Sequence, residues 1–142
     1  MDEISRALDL GIGVDIVTIK RFESLVPDED QTFLDNIFTA QELSYCFSKG
    51  TPAEHLAARY AGKEAVIKAL TSVKKVSVNY RDIEILNNNY GVPEVRFNKK
   101  GLEKLKTYLS LSHCEDKALA FVIIEVLDHE LTSHAQQINR HG

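Results

Sequence analysis

Apolar and polar positions alternate in short strand-like runs toward both ends of the chain and follow a helical period in the middle. Residues 11–17, GIGVDIV, are rich in β-formers between polar flanks and predict a buried or half-buried strand, interrupted by one carboxylate, Asp15. Residues 19–25 and 33–37 carry short helical patterns, separated by a loop that Pro27 and the acidic run 28–30 mark. Thr39 with Glu42 three residues on is a capping box, in which each side chain satisfies an orphan backbone N–H. It opens a short helix to about residue 47, which Gly50 stops. Thr51-Pro52-Ala53-Glu54 repeats the signature with proline at the first helical position, predicting the longest helix over 51–70. Residues 80–86 and 92–97 predict two strands joined through the turn sequence NNNYG, a hairpin. Residues 99–108 fit a helix, and 109–112 and 119–127 fit two strands joined by 114–117.

This order predicts an α+β fold, a compact domain over 1–127 with a long central helix packed on antiparallel strands. The polar stretch 128–142 is expected to be a frayed tail. A length of 142 residues suits one core. With 44% hydrophobic and 27% charged residues the composition is that of an ordinary globular protein, against disorder or a coiled coil. No apolar run approaches the ~18 residues of a membrane span, and the acidic start has no signal-peptide pattern, so a cytoplasmic protein without membrane contact is expected. Cys46 and Cys114 have neither CxxC spacing nor a matching histidine pattern, and read as reduced bystanders. A net charge of -4 disfavours nucleic acid as a partner but leaves room for a local basic patch against an acidic protein.

On a helical wheel, Leu56, Tyr60, Ile67 and Leu70 form one bulky stripe of the helix 51–70, and Ala58, Ala61, Gly62, Ala65 and Ala69 form a second, of small residues. Two apolar faces place such a helix inside the protein or between subunits, with its charges in the seams. Glu64 and Lys68 share one seam; Arg59 and Lys63 share the other. Glu64 and Lys68 can be read as an i,i+4 ion pair, worth roughly 0.2 to 0.5 kcal/mol on a surface. The alternative takes in Asp15, since a carboxylate inside an apolar strand needs donors or a cation to offset its desolvation. Two sequestered carboxylates and a lysine are what Mg²⁺ and a phosphate would occupy. GIGVD is neither a Walker loop nor the GxGxxG fingerprint. Ser112, His113 and Asp116 lack the nucleophile elbow of a hydrolase triad.

Five blocks, GIGVDIVTIKRFE, FLDNIFTAQELSYC, LAARYAGKEAVIKAL, YRDIEI and LSLSHCEDKALAFVIIE, stand together in one order over residues 11–126. In that order the chain resembles the holo-acyl-carrier-protein synthases. The resemblance implies that Asp15 and Glu64 bind magnesium and that Lys68 contacts the phosphates of coenzyme A. It places Arg59 and Lys63 around that cofactor and His113 near its nucleotide. It also implies that Arg21 docks the acidic acyl carrier protein, and that the enzyme is a homotrimer with active sites between subunits. The chain departs from the pattern after Leu70, where LTSVKKVSVNY replaces a glycine-containing turn, at Gly62 in place of alanine, and at Cys114 in place of a polar residue.

The implied reaction moves the phosphopantetheine arm of coenzyme A onto a serine of the carrier, with a carboxylate or a metal-bound water taking the serine proton. Two rivals stand beside it: a carrier-binding member of the same fold without turnover, and another magnesium-dependent nucleotide enzyme acting on a different acceptor.

Overall fold

The computed structural model of the protein describes residues 8–74 and 76–127. In chain order these form β1 (Leu8–Thr18), α1 (Lys20–Glu23), α2 (Gln31–Ile37), α3 (Ala40–Phe47) and α4 (Pro52–Lys74), then a 3₁₀ turn (Tyr80–Asp82), β2 (Ile83–Asn87), β3 (Pro93–Phe97), β4 (Lys106–His113) and β5 (Lys117–Leu127). The class is α+β. One antiparallel sheet has the order β1-β5-β4, and β2 and β3 form a separate hairpin. The segment 128–142, expected to fray, lies outside the described residues.

The capping box at Thr39 is present in full: Glu42 N–H donates to Thr39 Oγ1 at 3.3 Å, and Thr39 N–H donates to Glu42 Oε1 at 2.9 Å. At the start of α4 the Thr51 hydroxyl donates to the Glu54 carboxylate at 3.0 Å. That helix runs on to Lys74, through the first residues of the segment that departs from the family pattern.

Both stripes of α4 are buried inside the one chain. Leu56 and Leu70 are fully enclosed, as are Ala61, Ala65 and Ala69. The helix packs on β1 and β5, and also meets α1, α3, β2 and β4. The two-faced pattern is therefore satisfied within the protomer and needs no subunit boundary. The glycines of β1 explain how close the approach is: a Cβ on Gly13 would stand 1.8 Å from the Ala65 carbonyl oxygen, and one on Gly11 2.5 Å from that of Ala69. Two glycines on the strand and alanines on the helix let the backbones touch.

Alternation along β1 follows from this contact. Gly11, Gly13, Asp15 and Val17 face α4, while Leu10, Ile12, Val14 and Ile16 point to the opposite side and are each more than half exposed. The register continues that apolar face across the sheet, through Phe121 and Leu119 on β5 to Tyr108 on β4.

Two sequence expectations are corrected. Residues 99–108 do not form a helix. Leu102 and Leu105 have the spacing of a helical face and are buried, but their amides donate three residues back, to Lys99 and Leu102, in successive turns. Gly101 has a φ of 94°, which ends any α-helical path there, and β4 begins at Lys106. The strand expected from residue 80 starts only at Ile83, because Asp82 caps the turn before it by accepting from Asn79 N–H at 2.8 Å.

Candidate functional site

Asp15 is carried by β1 on the face that meets α4, and Glu64 by α4 itself. Together with Ile16, Val17, Thr18, Arg21 and Tyr60 they line one open pocket of about 350 Å³. Lys68, one turn beyond Glu64, reaches across to Asp15, with Nζ 2.9 Å from Oδ1 and 3.1 Å from the Val14 carbonyl oxygen. Lys68 thus bridges helix and strand, where an i,i+4 pair with Glu64 was one reading of the sequence. Glu64 instead accepts a hydrogen bond from the Tyr80 hydroxyl at 2.5 Å. That bond and burial push the phenol well above its ordinary value. Asp15, Glu64 and Lys68 sum to one negative charge. Two hard-oxygen donors at an open pocket suit a cation that keeps several waters and binds substrate phosphates.

Arg21, on α1, lies at the rim of the same pocket. Its guanidinium stands 4.9 Å from the Tyr60 ring centroid and 5.9 Å from that of Phe22, so it is held over aromatic faces while remaining exposed.

A second cationic group lies on the α3 and β2 side of α4. Arg59 is 2% exposed, donates from Nε to the Ile85 carbonyl at 3.1 Å and lies 4.3 Å from the Tyr45 ring centroid. Its Nη2 is buried and has no hydrogen-bond partner among the described residues. Lys49 lies 4.7 Å from the same ring, and the His55 ring packs against its edge. Burial first, then Arg59 and Lys49, hold the His55 imidazole below its ordinary value, with a smaller push from His113. His113 ends β4 opposite Ala118, which in turn faces Val17 of β1. It therefore shares the α4-facing side of the sheet with Asp15, roughly 10 Å from β1 by two strand spacings.

Lys63 is the exception among the expected cofactor residues. It is fully buried and ion-paired to Glu42 at 2.8 Å, and it donates to the carbonyls of Tyr80 (2.8 Å) and Ile83. Glu42 also accepts from Ile85 N–H at 2.8 Å. All the capacity of this ammonium is taken by carbonyls of the 3₁₀ turn and β2 and by one carboxylate of α3, so in this chain Lys63 ties elements together and faces neither the Asp15 pocket nor the Arg59 group. Burial lowers its pKa from the usual lysine value, and Glu42 partly counters that. Sequence reasoning missed Tyr80, Lys49 and His55. Tyr80 stands in the quoted block YRDIEI, but nothing in that block indicates which carboxylate the phenol meets.

The sequence model of the 4'-phosphopantetheinyl transferase superfamily matches residues 11–122, and the chain belongs to that superfamily. Among similar proteins, the holo-[acyl-carrier-protein] synthase of Thermodesulfovibrio yellowstonii is 44% identical over 117 residues, covering 80% of this chain and 96% of its own. That of Aquifex aeolicus is 42% identical over 118 residues, covering 80% and 97%. Of solved structures, the Neisseria meningitidis holo-[acyl-carrier-protein] synthase superposes with a TM-score of 0.69 at 36% identity, over 82% of this chain and 98% of that one. The Bacillus anthracis enzyme in complex with CoA (3',5'-ADP) gives 0.67 at 31% identity, over 84% and 98%.

Proposed function

We propose that this chain is a holo-[acyl-carrier-protein] synthase, transferring the 4'-phosphopantetheine group of coenzyme A to a serine of apo-acyl carrier protein and releasing adenosine 3',5'-bisphosphate. The observation that carries the reading is the joining of Asp15, Glu64 and Arg21 in one pocket, with Lys68 on Asp15, in a chain this similar to enzymes of that name. Asp15 and Glu64 hold Mg²⁺ in this reading. When bound, the metal supplies Lewis-acid neutralisation of phosphate charge.

The residues divide the remaining work by charge. Lys68 is exposed enough to turn from Asp15 to a phosphate oxygen. Arg59 offers a buried, unpartnered donor, and with Lys49 it makes a cationic site, beside the His55 and His113 rings, for another anionic group of the cofactor. Arg21, on the rim, meets the acidic carrier protein. The pocket carboxylates and solvent are the available acceptors for the serine proton. Supply of holo-carrier to fatty acid synthesis in the cytoplasm fits this activity, and no helix among the described residues is long and apolar enough to cross a membrane.

The apolar face of the β1-β5-β4 sheet supports self-association, and a homotrimer with shared clefts is the assembly proposed for it.

Intact-mass analysis of apo-acyl carrier protein incubated with enzyme, Mg²⁺ and coenzyme A tests the activity. The expected outcome is a gain of one phosphopantetheine arm, lost in Asp15→Asn and Glu64→Gln. Carrier bound but unmodified would make the chain a binding member of the fold. Transfer undiminished in either variant would remove that carboxylate from the site.

A further inference from the structure

Glu64 projects from a helix into an open pocket, and a side chain with that much torsional freedom cannot present a fixed ligand atom without help. The help lies on the far side of the buried lysine. Tyr80 donates its hydroxyl to Glu64 Oε1, and its own position is fixed from several directions. Its carbonyl accepts from Lys63 Nζ at 2.8 Å, and its ring packs on Tyr60 with centroids 5.7 Å apart. The 3₁₀ turn that carries it is capped between Asn79 and Asp82. Lys63 is in turn held by Glu42 at 2.8 Å within the core. A rigid chain of contacts thus runs from α3 through Lys63 and the Tyr80 backbone to the Tyr80 phenol and on to one oxygen of Glu64. The second oxygen is left for another partner. A phenol, unlike an ammonium, orients the carboxylate without cancelling its charge.

We propose that Tyr80 is a positioning residue for Glu64: its hydroxyl fixes the carboxylate so that the remaining oxygen is presented to a divalent cation. The inference rests on the reading of Asp15 and Glu64 as the metal carboxylates. It adds a residue from outside the helix that carries Glu64, placed by the turn ahead of β2. Outer-shell hydrogen bonds to metal ligands typically contribute about 10- to 100-fold in metal affinity. The contact belongs at the lower end of that range, because Glu64 keeps its place on α4 without it.

Mn²⁺ serves as the probe, titrated alone against wild type, Tyr80→Phe, Tyr80→Leu and Glu64→Gln, with the free-ion electron paramagnetic resonance signal reporting binding. Phenylalanine keeps the ring against Tyr60 and the backbone bond to Lys63, so the fold is preserved. Tyr80→Phe is expected to weaken Mn²⁺ binding about tenfold and to raise the metal concentration for half-maximal transfer by the same factor. Most of the turnover should return at saturating metal. Tyr80→Leu should weaken Mn²⁺ to a similar degree, and Glu64→Gln should remove the site. Wild-type affinity in Tyr80→Phe with a defect only in Tyr80→Leu would assign Tyr80 to packing and overturn the proposal while leaving the metal carboxylates standing. Wild-type affinity in Glu64→Gln would overturn the reading beneath it.

Discussion

At the scale of single residues, Lys63 separates what a motif suggests from what a side chain does. It stands next to Glu64 in the sequence, yet the two side chains leave α4 in different directions, one into the core and one into the pocket. The ion pair of Lys63 with Glu42 joins α4 to α3, and the carbonyl bonds join both to the chain entering β2. Removing one member strands the other in a medium that cannot solvate it, which typically costs about 3–5 kcal/mol. Lys63→Met, close in volume, is therefore expected to destabilise folding by about 3 kcal/mol or more, read as a lower urea midpoint with an unchanged slope. A change below about 0.5 kcal/mol, the size expected of a surface substitution, would show that the pair is dispensable. The buried Cys46 is also part of the core in this region: burial pushes its thiol up to about 12, which keeps it protonated and unreactive.

At the scale of elements, the contact between β1 and α4 decides where the site is. Asp15 faces the helix because Gly11, Gly13 and Val17 do, and period two gives all four the same side. The closeness of the approach lets Lys68 reach Asp15 from the helix. Gly13→Ala puts a methyl where the Ala65 carbonyl is, and no side-chain rotation can relieve a clash with backbone. Overpacking of this kind typically costs about 1–3 kcal/mol. The expected result is a melting temperature lowered by several degrees together with reduced transfer, since Glu64 and Lys68 shift relative to Asp15 when the helix is displaced. Gly50→Ala is the control, because a Cβ there meets nothing within 4 Å. Equal stability of the two variants would show that α4 tolerates displacement.

At the scale of the whole molecule, the described residues cover the sheet on one face only. The large apolar residues of β1 lie on the open face, with Ile12 57% and Ile16 59% exposed, and Phe121 and Tyr108 extend the patch over all three strands. A contiguous apolar surface rimmed by polar residues marks an interaction site. Light scattering at micromolar concentration is expected to give three times the mass of the chain, and Val14→Lys, which sets a charge among those residues, should give a smaller species. A monomeric wild type would leave the patch to another partner and would confine the catalytic site to one chain.

The sequence alone determined the elements whose signals are local. The Thr39 capping box, the proline-led start of α4 and the hairpin at NNNYG each depend on residues a few positions apart, and each forms as expected. It also singled out Asp15, because a carboxylate among apolar residues is anomalous whatever surrounds it. It misjudged residues 99–108, where Leu102 and Leu105 have helical spacing but Gly101 adopts a φ open to glycine and β5 offers β4 a partner strand. It left open whether the two-faced helix lies inside the protein or between subunits, since periodicity counts buried faces without telling what covers them. Only the tertiary structure decided that both faces of α4 are covered within one chain, that Lys68 belongs to Asp15, that Lys63 is enclosed and that Tyr80 holds Glu64. Each of those pairings links the helix to residues more than a dozen positions away along the chain. Spacing along the chain sets the direction in which a side chain leaves its own element, whereas its partner is set by which other element the packed backbone brings there.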